Sequence, residues 1–527
     1  MNVSTVLARL AVEALGAMGV AHVVLCPGSR SAPLAYALTA RSPRDRPALH
    51  VRHDERVAAF TALGVARGAA AGSTPGETGA VVTTSGTAAA NLMPAVLEAH
   101  HANVPLVVVT ADRPPALRGT WANQTSELQA GLFGDAVRAR LDLADTDAAC
   151  DPDAAWAALV DTLQAAWGRT RDDRPGPVHL DLGFTDPLVP DEDGEDDEDD
   201  DRDSGRGSPA VRPGRPGALR RWNREDRGES LDAVDGTVVV AGDGAGWQAR
   251  RLAEAGGWPL LAEPSSGARS GPNAIGPYRL LLELPELGGA VRRAVVLGRP
   301  TLSRPVTRLL ARSDVEVVLV SPYADWPEPG RPVRRIVGLA APAALEAADK
   351  GWYRADPDAW LSSWLAAGAA AQDALDALLG SDAGPTGPLA GPLTGPLTGP
   401  LVAREVAAAL APGELLVAAA SNPIRDLDLA ARPFQVPVDP TGDVVPADHE
   451  RVVANRGLAG IDGTLSTAMG AALARAPDPG SRRLALPSDL RAAAQTADRV
   501  GSGGEMPSDP TRCAAHEVVP PDLRAEQ

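Results

Sequence analysis

The sequence predicts an α/β fold of about three domains, each built on a parallel sheet that helices cover on both faces. Short apolar runs rich in β-branched residues, such as HVVLC, GAVVTT, PLVVVTA and VEVVLVS, alternate along the chain with segments of helical period. Turns rich in Gly and Ser, such as PGSRS and SGT, follow the strands. The length of 527 residues exceeds what a single hydrophobic core supports.

Two changes in composition divide the chain. The segment 191–229 lacks apolar residues to bury and is expected to be a disordered acidic linker. Within it, Asp191–Asp203 holds eleven acids and one arginine, which supply −10 of the formal net charge of −18. The near-repeat GPLAGPLTGPLTGPL marks a second, Gly/Pro linker at 385–401, because Gly-Pro pairs break helices and strands. These breaks predict three domains and a tail, at 1–190, 230–384, 402–490 and 491–527.

The first block begins with an amphipathic helix, since its apolar residues recur at helical spacing. Four strands are expected at HVVLC, GAVVTT, PLVVVTA and GPVHLDLGF, where apolar and β-branched residues run together. The helices between them are expected near Pro33–Leu38, from Asp54 onward, and as one helix over AAANLMPAVLEAHHA. Parallel strands require such crossover helices.

The same alternation continues in the other two blocks. In the second block, strands are expected at TVVVA, PLLAEP, AVVLG and VEVVLVSP, with helices at WQARRLAEAGG and VTRLLAR. In the third block, a helix at REVAAAL is followed by a strand at ELLVAAA, a turn at SNPIRD and a strand at RRLAL. Both blocks therefore predict parallel sheets.

The composition argues against several classes of protein. Outside the acidic linker the chain is only mildly acidic, so no nucleic-acid-binding face is expected. No stretch is long and apolar enough to span a bilayer, and the N-terminus lacks the layout of a signal peptide. The cysteines Cys26, Cys150 and Cys513 have no metal-ligand spacing and cannot all pair. These features lead us to expect a cytoplasmic protein.

Glu55 is the most informative single residue. The segment VRHDERVAAF places it at the start of an alanine-rich helix, between the turns CPGSRSAP and TTSGTAAANL. One interpretation is that Asp54 and Glu55 only offset the helix dipole in the first turn. The other is that the Glu55 carboxyl group serves a ligand at a strand-to-helix junction, where α/β proteins build their sites. This segment alone does not separate the two.

Nine motifs occur in a fixed order: CPGSRSAP, HDER, TTSGTAAANL, TADRPPALRGTWANQT, GPVHLDL, LAEPSSGAR, GRPTLSRPV, SNPIRDLDL and NRGLAGIDG. Together they resemble the 2-succinyl-5-enolpyruvyl-6-hydroxy-3-cyclohexene-1-carboxylate (SEPHCHC) synthases of menaquinone biosynthesis, which are thiamine diphosphate (ThDP) enzymes. The resemblance extends from Met1 to about Leu490, apart from the two linkers. It implies three ThDP-enzyme-type α/β domains, which would be pyrimidine-binding, central and diphosphate-binding, the last of them truncated.

The resemblance implies a transferase that adds 2-oxoglutarate to isochorismate with loss of CO₂. Glu55 would be catalytic, with its carboxyl group on the aminopyrimidine ring of ThDP. Both substrates are carboxylates, which arginine forks bind in a bidentate manner. The implied substrate-binding residues are Ser29, Arg30, Arg113, Asn123, Gln124, Arg304, Ser421, Arg425 and Arg456. The implied cofactor-binding residues are Glu55, Ser421, Gly460, Ile461 and Asp462.

The resemblance further implies Mg²⁺ or Mn²⁺ beside the diphosphate, and a homodimer or homotetramer with the cofactor between the first domain of one subunit and the third of another. Asp489 stands where the first metal-binding aspartate is expected. The tail after it is polar and without a strand pattern, and Mg²⁺ needs more than one aspartate. Two alternatives therefore stay open: a family member made inactive by a diverged or frame-shifted end, and another 2-oxoacid ThDP lyase.

Overall fold

Six strands rich in Val, Leu and Ala form the first sheet of the computed structural model. All of its pairings are parallel. The strands are β1 Val20–Leu25, β2 Ala48–Val51, β3 Thr78–Thr83, β4 Leu106–Asp112, β5 Ala139–Ala144 and β6 Pro177–Gly183. Their order in the sheet is β2-β1-β3-β4-β6-β5. Every residue of β3, β4 and β6 is buried, as expected of strands covered on both faces.

Helices cover both faces of this sheet and enclose two apolar cores. They are α1 Val3–Ala17, α2 Ala32–Thr39, α3 Glu55–Ala70, α4 Thr87–Ala90, α5 Met93–Ala102, α6 Asp145–Cys150 and α7 Pro152–Gln164. One core lies between the sheet and α1, α2 and α7. The other lies between the sheet and α3 and α5. The turns that sequence analysis singled out follow the carboxyl ends of the strands, where α/β proteins build their sites.

The structure divides the helix expected over AAANLMPAVLEAHHA into two. Helix α4 ends at Ala90, and α5 begins at Met93 with Pro94 in its first turn. Pro94 has no N–H, and in a continuous helix its ring would clash with the carbonyl group of Ala90. The prediction of a single helix is wrong for this reason.

The second sheet has five parallel strands in the order β12-β11-β10-β8-β9. Their bounds are β8 Thr237–Ala241, β9 Leu260–Ala262, β10 Arg293–Leu297, β11 Glu316–Ser321 and β12 Arg334–Val337. A separate parallel pair joins β7 Glu229–Leu231 to β13 Ala340–Pro342. The accompanying helices are α8 Trp247–Gly256, α9 Tyr278–Leu281, α10 Arg304–Ala311 and α11 Ala359–Leu378.

The third region pairs two strands in parallel, β14 Leu416–Ala418 and β15 Val452–Ala454. Its helices are α12 Gly399–Ala409, α13 Asn422–Ala430 and α14 Thr464–Arg475. Helix α12 includes the last three residues of the predicted Gly/Pro linker, because the Thr398 hydroxyl caps it by accepting a hydrogen bond from the Leu401 N–H. The SNPIRD segment, expected as a turn, is instead the start of α13, with Ser421 as its N-cap.

The structure describes residues 2–40, 47–71, 77–168, 174–191, 229–232, 234–321, 333–337, 340–342, 359–380, 397–411, 413–435 and 451–475. The predicted acidic linker after Asp191, most of the Gly/Pro linker, the strand RRLAL, Asp489 and the tail lie outside these residues. Within the described ranges, no helix combines the length and the apolar character that a membrane crossing requires.

Helices α3 and α14 cross in direct backbone contact. A Cβ atom added to Gly64 would overlap the carbonyl oxygen of Thr467, and one added to Gly470 would overlap that of Thr61. The absence of side chains at these two positions lets the helices approach this closely. The crossing connects the first predicted domain to the third within one chain.

We expect Gly64→Ala to lower the free energy of unfolding by about 1–3 kcal/mol, because the added methyl group must push α14 away from α3. Gly16→Ala is the matched control. Gly16 also lies in a helix, α1, but its Cβ position has no heavy atom within 4 Å. Alanine there should raise stability by up to about 1 kcal/mol. Urea unfolding followed by circular dichroism measures both, and equal stability of the two variants would contradict the close crossing.

Candidate active site

Glu55 is the first residue of α3 and follows the carboxyl end of β2. The cap of this helix is Asp54, whose Oδ1 accepts a hydrogen bond of 2.9 Å from the Val57 N–H. Glu55 is half-buried, and its carboxylate has no hydrogen bond or ion pair to another described residue. Asp54 therefore meets the capping requirement alone, and the Glu55 carboxylate is left available to a ligand.

The negative charge of Glu55 acts on the thiol of Cys26. Cys26 follows β1 and is buried, with its N–H donating to the carbonyl oxygen of Val82 at 2.8 Å. Burial raises the pKa of Cys26 to about 12, and the negative charges of Glu55 and Asp54 add to the effect. Glu55 is therefore close enough to act electrostatically on Cys26, the residue that follows β1 and precedes the PGSRS turn.

Two guanidinium groups, those of Arg30 and Arg113, neighbour each other at the same edge of the sheet. Nη1 of Arg30 donates to the carbonyl oxygen of Phe184 at 2.8 Å and lies 3.6 Å from Oδ1 of Asp186. Burial lowers the pKa of Arg30; Asp186 opposes this effect, whereas the positive charge of Arg113 adds to it. Ser29, one residue earlier, is exposed. The edge thus presents positive charge that suits a carboxylate.

The loop that carries Asn123 and Gln124 is attached to the SGT turn after β3. The Gln124 side chain donates to the carbonyl oxygen of Ser85 at 2.7 Å, and the Ser85 hydroxyl donates back to the Gln124 carbonyl oxygen at 2.8 Å. Nη1 of Arg113 donates to that same carbonyl oxygen at 3.0 Å. Gln124 has a φ of +56°, which is uncommon for a residue other than glycine. Asn123 and Gln124 are exposed at this point of the edge.

A buried charged network beneath this loop was missed by sequence analysis. Nε of Arg118 lies 2.9 Å from Oδ2 of Asp112, and its Nη2 lies 3.2 Å from Oδ2 of Asp181. Burial raises the pKa of both carboxyl groups. Asp112 also accepts the Arg113 N–H at 2.8 Å, so the network fixes Arg113 at its backbone. Asp112 belongs to the ADRP motif and Asp181 to the GPVHLDL motif, so both motifs were usable signals, although neither aspartate was assigned a role.

The structure brings together a second group of predicted residues around Arg456. Its guanidinium group donates to the carbonyl oxygen of Ala420 at 3.3 Å and to Oγ1 of Thr301 at 2.9 Å. Ala420 precedes Ser421, and Thr301 lies on the loop that leads into α10 at Arg304, so Arg456 connects the segments that carry both. Arg456 is buried, whereas the other three members are exposed. The group consists of Arg304, Ser421, Arg425 and Arg456.

The turn predicted to bind the cofactor, Gly460–Asp462, lies beside α3. Asp462 forms an ion pair of 3.5 Å with Arg56, the residue after Glu55. A Cβ atom on Gly460 would come within 2.9 Å of the Phe60 ring. Ile461 and Asp462 are exposed. The turn and the Glu55 end of α3 are therefore neighbours in a single chain.

Among the described residues, no hydrogen bond or ion pair joins the arginines of the first sheet to the group around Arg456. Arg30 and Arg113 belong to the edge of the first sheet, and their recorded partners are all in the first domain. The recorded side-chain partners of Arg456 are in the second and third domains. Asp489, the predicted metal ligand, lies outside the described residues. The two groups of predicted substrate residues thus have different hydrogen-bond partners.

Comparisons with known proteins identify the family of similar sequences. Residues 5–132 match the family model described as thiamine pyrophosphate enzyme, N-terminal TPP binding domain; thiamine pyrophosphate is another name of ThDP. A 2-succinyl-5-enolpyruvyl-6-hydroxy-3-cyclohexene-1-carboxylate synthase of Kineococcus radiotolerans is 49% identical over 489 residues, which are 90% of this chain and 77% of that one.

Proteins of the same name show similar relations. That of Nocardioides sp. is 44% identical over 92% of this chain and 77% of its own, and that of Arthrobacter sp. is 46% identical over 88% and 69%. Such identity over most of both chains shows that this protein belongs to the 2-succinyl-5-enolpyruvyl-6-hydroxy-3-cyclohexene-1-carboxylate synthase family of ThDP enzymes.

Proposed function

We propose that this chain catalyses the ThDP-dependent decarboxylative addition of 2-oxoglutarate to isochorismate, giving SEPHCHC and CO₂ for menaquinone biosynthesis. Family membership supports this reaction. The observation that carries it in the structure is Glu55, a half-buried carboxylate without a partner among the described residues, at the start of α3 and inside the segment that matches the ThDP-binding family. We place the activity in the cytoplasm, as expected from the sequence.

The residues present fit ThDP. When bound, ThDP supplies the nucleophilic carbon and the electron sink that decarboxylation of a 2-oxoacid requires. Glu55 would hold a proton at N1′ of the aminopyrimidine ring, and no described residue competes for its carboxylate. The turn Gly460–Asp462, together with Ser421, would contact the cofactor on the side of the third domain. Mg²⁺ or Mn²⁺ would neutralise the diphosphate, with Asp489 as one candidate ligand beside the further ligands that its coordination requires.

The arginines would bind the substrate carboxylates. Arg113 is held through its backbone by Asp112 and through Nη1 by the loop, which orients its guanidinium group before substrate arrives. The positive charges of Arg113 and Arg30 lie close enough to act on each other. Asp186 forms an ion pair with Arg30. The proposed substrate set is Ser29, Arg30, Arg113, Asn123, Gln124, Arg304, Ser421, Arg425 and Arg456.

We further propose that a second copy of the chain completes the site, in a homodimer or homotetramer. The family resemblance, which implies a cofactor between the first domain of one subunit and the third of another, supports this arrangement. A second support is an apolar stripe on the third region, where Leu458, Ile461, Leu465 and Met469 are exposed by 57%, 60%, 82% and 36%. Exposed apolar patches of this kind are typical of interaction surfaces.

Mixing two impaired variants, assayed with the carboxylate substrates well below their parental KM values, tests the shared site. Glu55→Gln and Arg425→Ala alter residues that would belong to different chains of one site. Random exchange of subunits would then create mixed dimers with one intact site, and activity should recover to about a quarter of the parental value. Each variant taken alone through the same exchange procedure gives the background activity. No recovery, with subunit exchange verified by mass spectrometry, would contradict a shared site.

A product assay tests the reaction itself. The full chain with ThDP and Mg²⁺ should consume isochorismate only when 2-oxoglutarate is present, and it should release one CO₂ per product formed. Pyruvate in place of 2-oxoglutarate should be a much poorer donor, because it lacks the distal carboxylate that an arginine would bind. Equal use of pyruvate without need for isochorismate would point to another 2-oxoacid lyase.

A further inference from the structure

A buried carboxylate of the first domain holds the cofactor turn of the third. Glu98 lies on α5 and is 1% exposed. Its Oε1 accepts the N–H of Gly457 at 2.6 Å, and its Oε2 accepts the N–H groups of Leu458 and Gly460 at 2.7 and 3.1 Å. Hydrogen bonds to an ionised acceptor are stronger than those between neutral groups. Three N–H groups within four residues therefore fix the backbone just before Ile461.

The backbone of the turn packs directly against the backbone of α5 at Gly457. A Cβ atom on Gly457 would overlap the carbonyl oxygen of Glu98 and come within 3.0 Å of its Oε1. Ala459 adopts a φ of +57°, in the left-handed region that residues other than glycine rarely occupy. A conformation of this kind persists only where surrounding contacts impose it. The bonds to Glu98 are such contacts.

The geometry separates an inner and an outer side of the turn. On the inner side, Glu98 satisfies the N–H groups, and Nδ2 of Asn455 donates to the carbonyl oxygen of Gly460 at 2.9 Å. On the outer side, Ile461 and Asp462 are exposed, and these are the residues predicted to meet the cofactor. The position of the outer side is thus set by bonds made on the inner side.

A nearby cation helps to explain why a charged group is buried here. Burial lowers the pKa of Arg299, and the negative charges of Asp243 and Glu98 oppose this effect. The guanidinium group of Arg299 also donates to the carbonyl oxygen of His101, on the same helix as Glu98. The Glu98 charge is therefore compensated by three N–H groups and by the field of a guanidinium group.

We propose that Glu98 is a positioning residue for cofactor binding: its carboxylate holds the turn Gly457–Asp462 in the conformation that ThDP requires. This inference rests on the proposed ThDP dependence, but Glu98 belongs to none of the motifs that predicted it. Glu98 touches neither the cofactor nor the substrate in this role. It couples the first domain to the third, 359 residues further along the chain at Gly457.

Glu98→Gln tests the proposal. The amide offers one acceptor oxygen in place of two and turns an N–H donor toward the N–H groups of the turn. We expect the dissociation constant for ThDP at saturating Mg²⁺, measured by calorimetry on the folded variant, to rise about ten- to a hundredfold. Without cofactor, amide hydrogen exchange of peptides covering Asn455–Gly463 should become faster, while the peptides of the first sheet keep their protection.

Glu263→Gln is the matched control. Glu263 is equally buried, and its Oε1 accepts one backbone N–H, that of Leu302, at 2.8 Å. Burial raises the pKa of Glu263 to about 8, so at neutral pH it is largely protonated and glutamine replaces it closely. This variant should bind ThDP as the parent does and leave exchange at the cofactor turn unchanged. If Glu98→Gln does not fold, the same two measurements can be made on Glu98→Asp, which keeps the negative charge on a side chain that is one methylene shorter.

The outcomes separate this inference from the proposed function. Parental ThDP affinity in the folded Glu98 variant would overturn the positioning role, even if its melting temperature fell, because a purely structural contact changes stability alone. Unchanged exchange at the turn would overturn it as well. A parent chain that binds no ThDP would instead overturn the proposed function, and the exchange measurement would still judge whether Glu98 holds the turn.

Discussion

Glu55→Gln is expected to lower kcat for CO₂ release by about 10²–10⁴-fold, the range that a positioned proton-transfer group contributes. The amide fills the same space but cannot hold and return a proton at N1′ of the cofactor. The fold should persist, because Glu55 is only half-buried and has no partner among the described residues, while Asp54 caps the helix. Turnover under saturating cofactor and substrates, together with the thermal midpoint, measures both parts of this expectation.

Asp54→Asn is the control for Glu55→Gln. Asparagine caps helices as well as aspartate does, so stability should change little. The variant also removes one negative charge beside Glu55. It therefore tests whether the loss of a negative charge at the start of α3 is enough to lower turnover. Turnover should stay within a few-fold of the parent. If Glu55→Gln itself kept turnover within about tenfold of the parent, its catalytic role would be excluded.

Arg113→Ala is expected to raise KM for a carboxylate substrate by about ten- to a hundredfold, since a charge-assisted hydrogen-bonded pair contributes about 1.5–3 kcal/mol. Arg425→Ala should act similarly from the other group. Arg113→Lys should recover part of the loss, because it restores the charge but not the planar fork. Steady-state kinetics with each substrate varied in turn would show which carboxylate each arginine serves.

The control for the arginine variants is Arg308→Ala. Arg308 lies on α10, is largely exposed and forms an ion pair with the exposed Glu283. Exposed pairs contribute little to stability, so this variant should leave both KM values and the thermal midpoint unchanged. Unchanged KM values in Arg113→Ala and Arg425→Ala alike would remove both residues from the site.

The sequence predicted the fully buried strands of the first sheet, but it did not predict the edge strand β5. Strands β3 and β4 are mostly apolar because helices cover both of their faces, whereas β6 is equally buried although it contains His179 and Asp181. Strand β5 is an edge strand with the sequence ARLDLA, and its first five residues alternate between half-buried and exposed. Such a segment resembles many surface segments, so its pairing depends on β6 rather than on its own composition.

In the candidate site, residues within local sequence patterns could be predicted, whereas contacts between distant segments could not. Glu55 could be predicted because its helix start and the turns on either side are local patterns. The buried pairs of Arg118 with Asp112 and Asp181 could not, because they join residues of different strands and loops once the sheet is assembled. Glu98 is the extreme case: an acid on an otherwise apolar stretch of α5 was a weak local signal, and its partners lie in the third region of the chain.

The most direct test of the central claim is calorimetric titration of the full 527-residue chain with ThDP in the presence of Mg²⁺, followed by measurement of CO₂ release from 2-oxoglutarate on the same sample. We expect saturable binding with a dissociation constant in about the micromolar range, together with CO₂ release that requires ThDP and is lost in Glu55→Gln. Absence of both binding and CO₂ release in the correctly folded chain would contradict the proposed activity and favour a family member without catalysis.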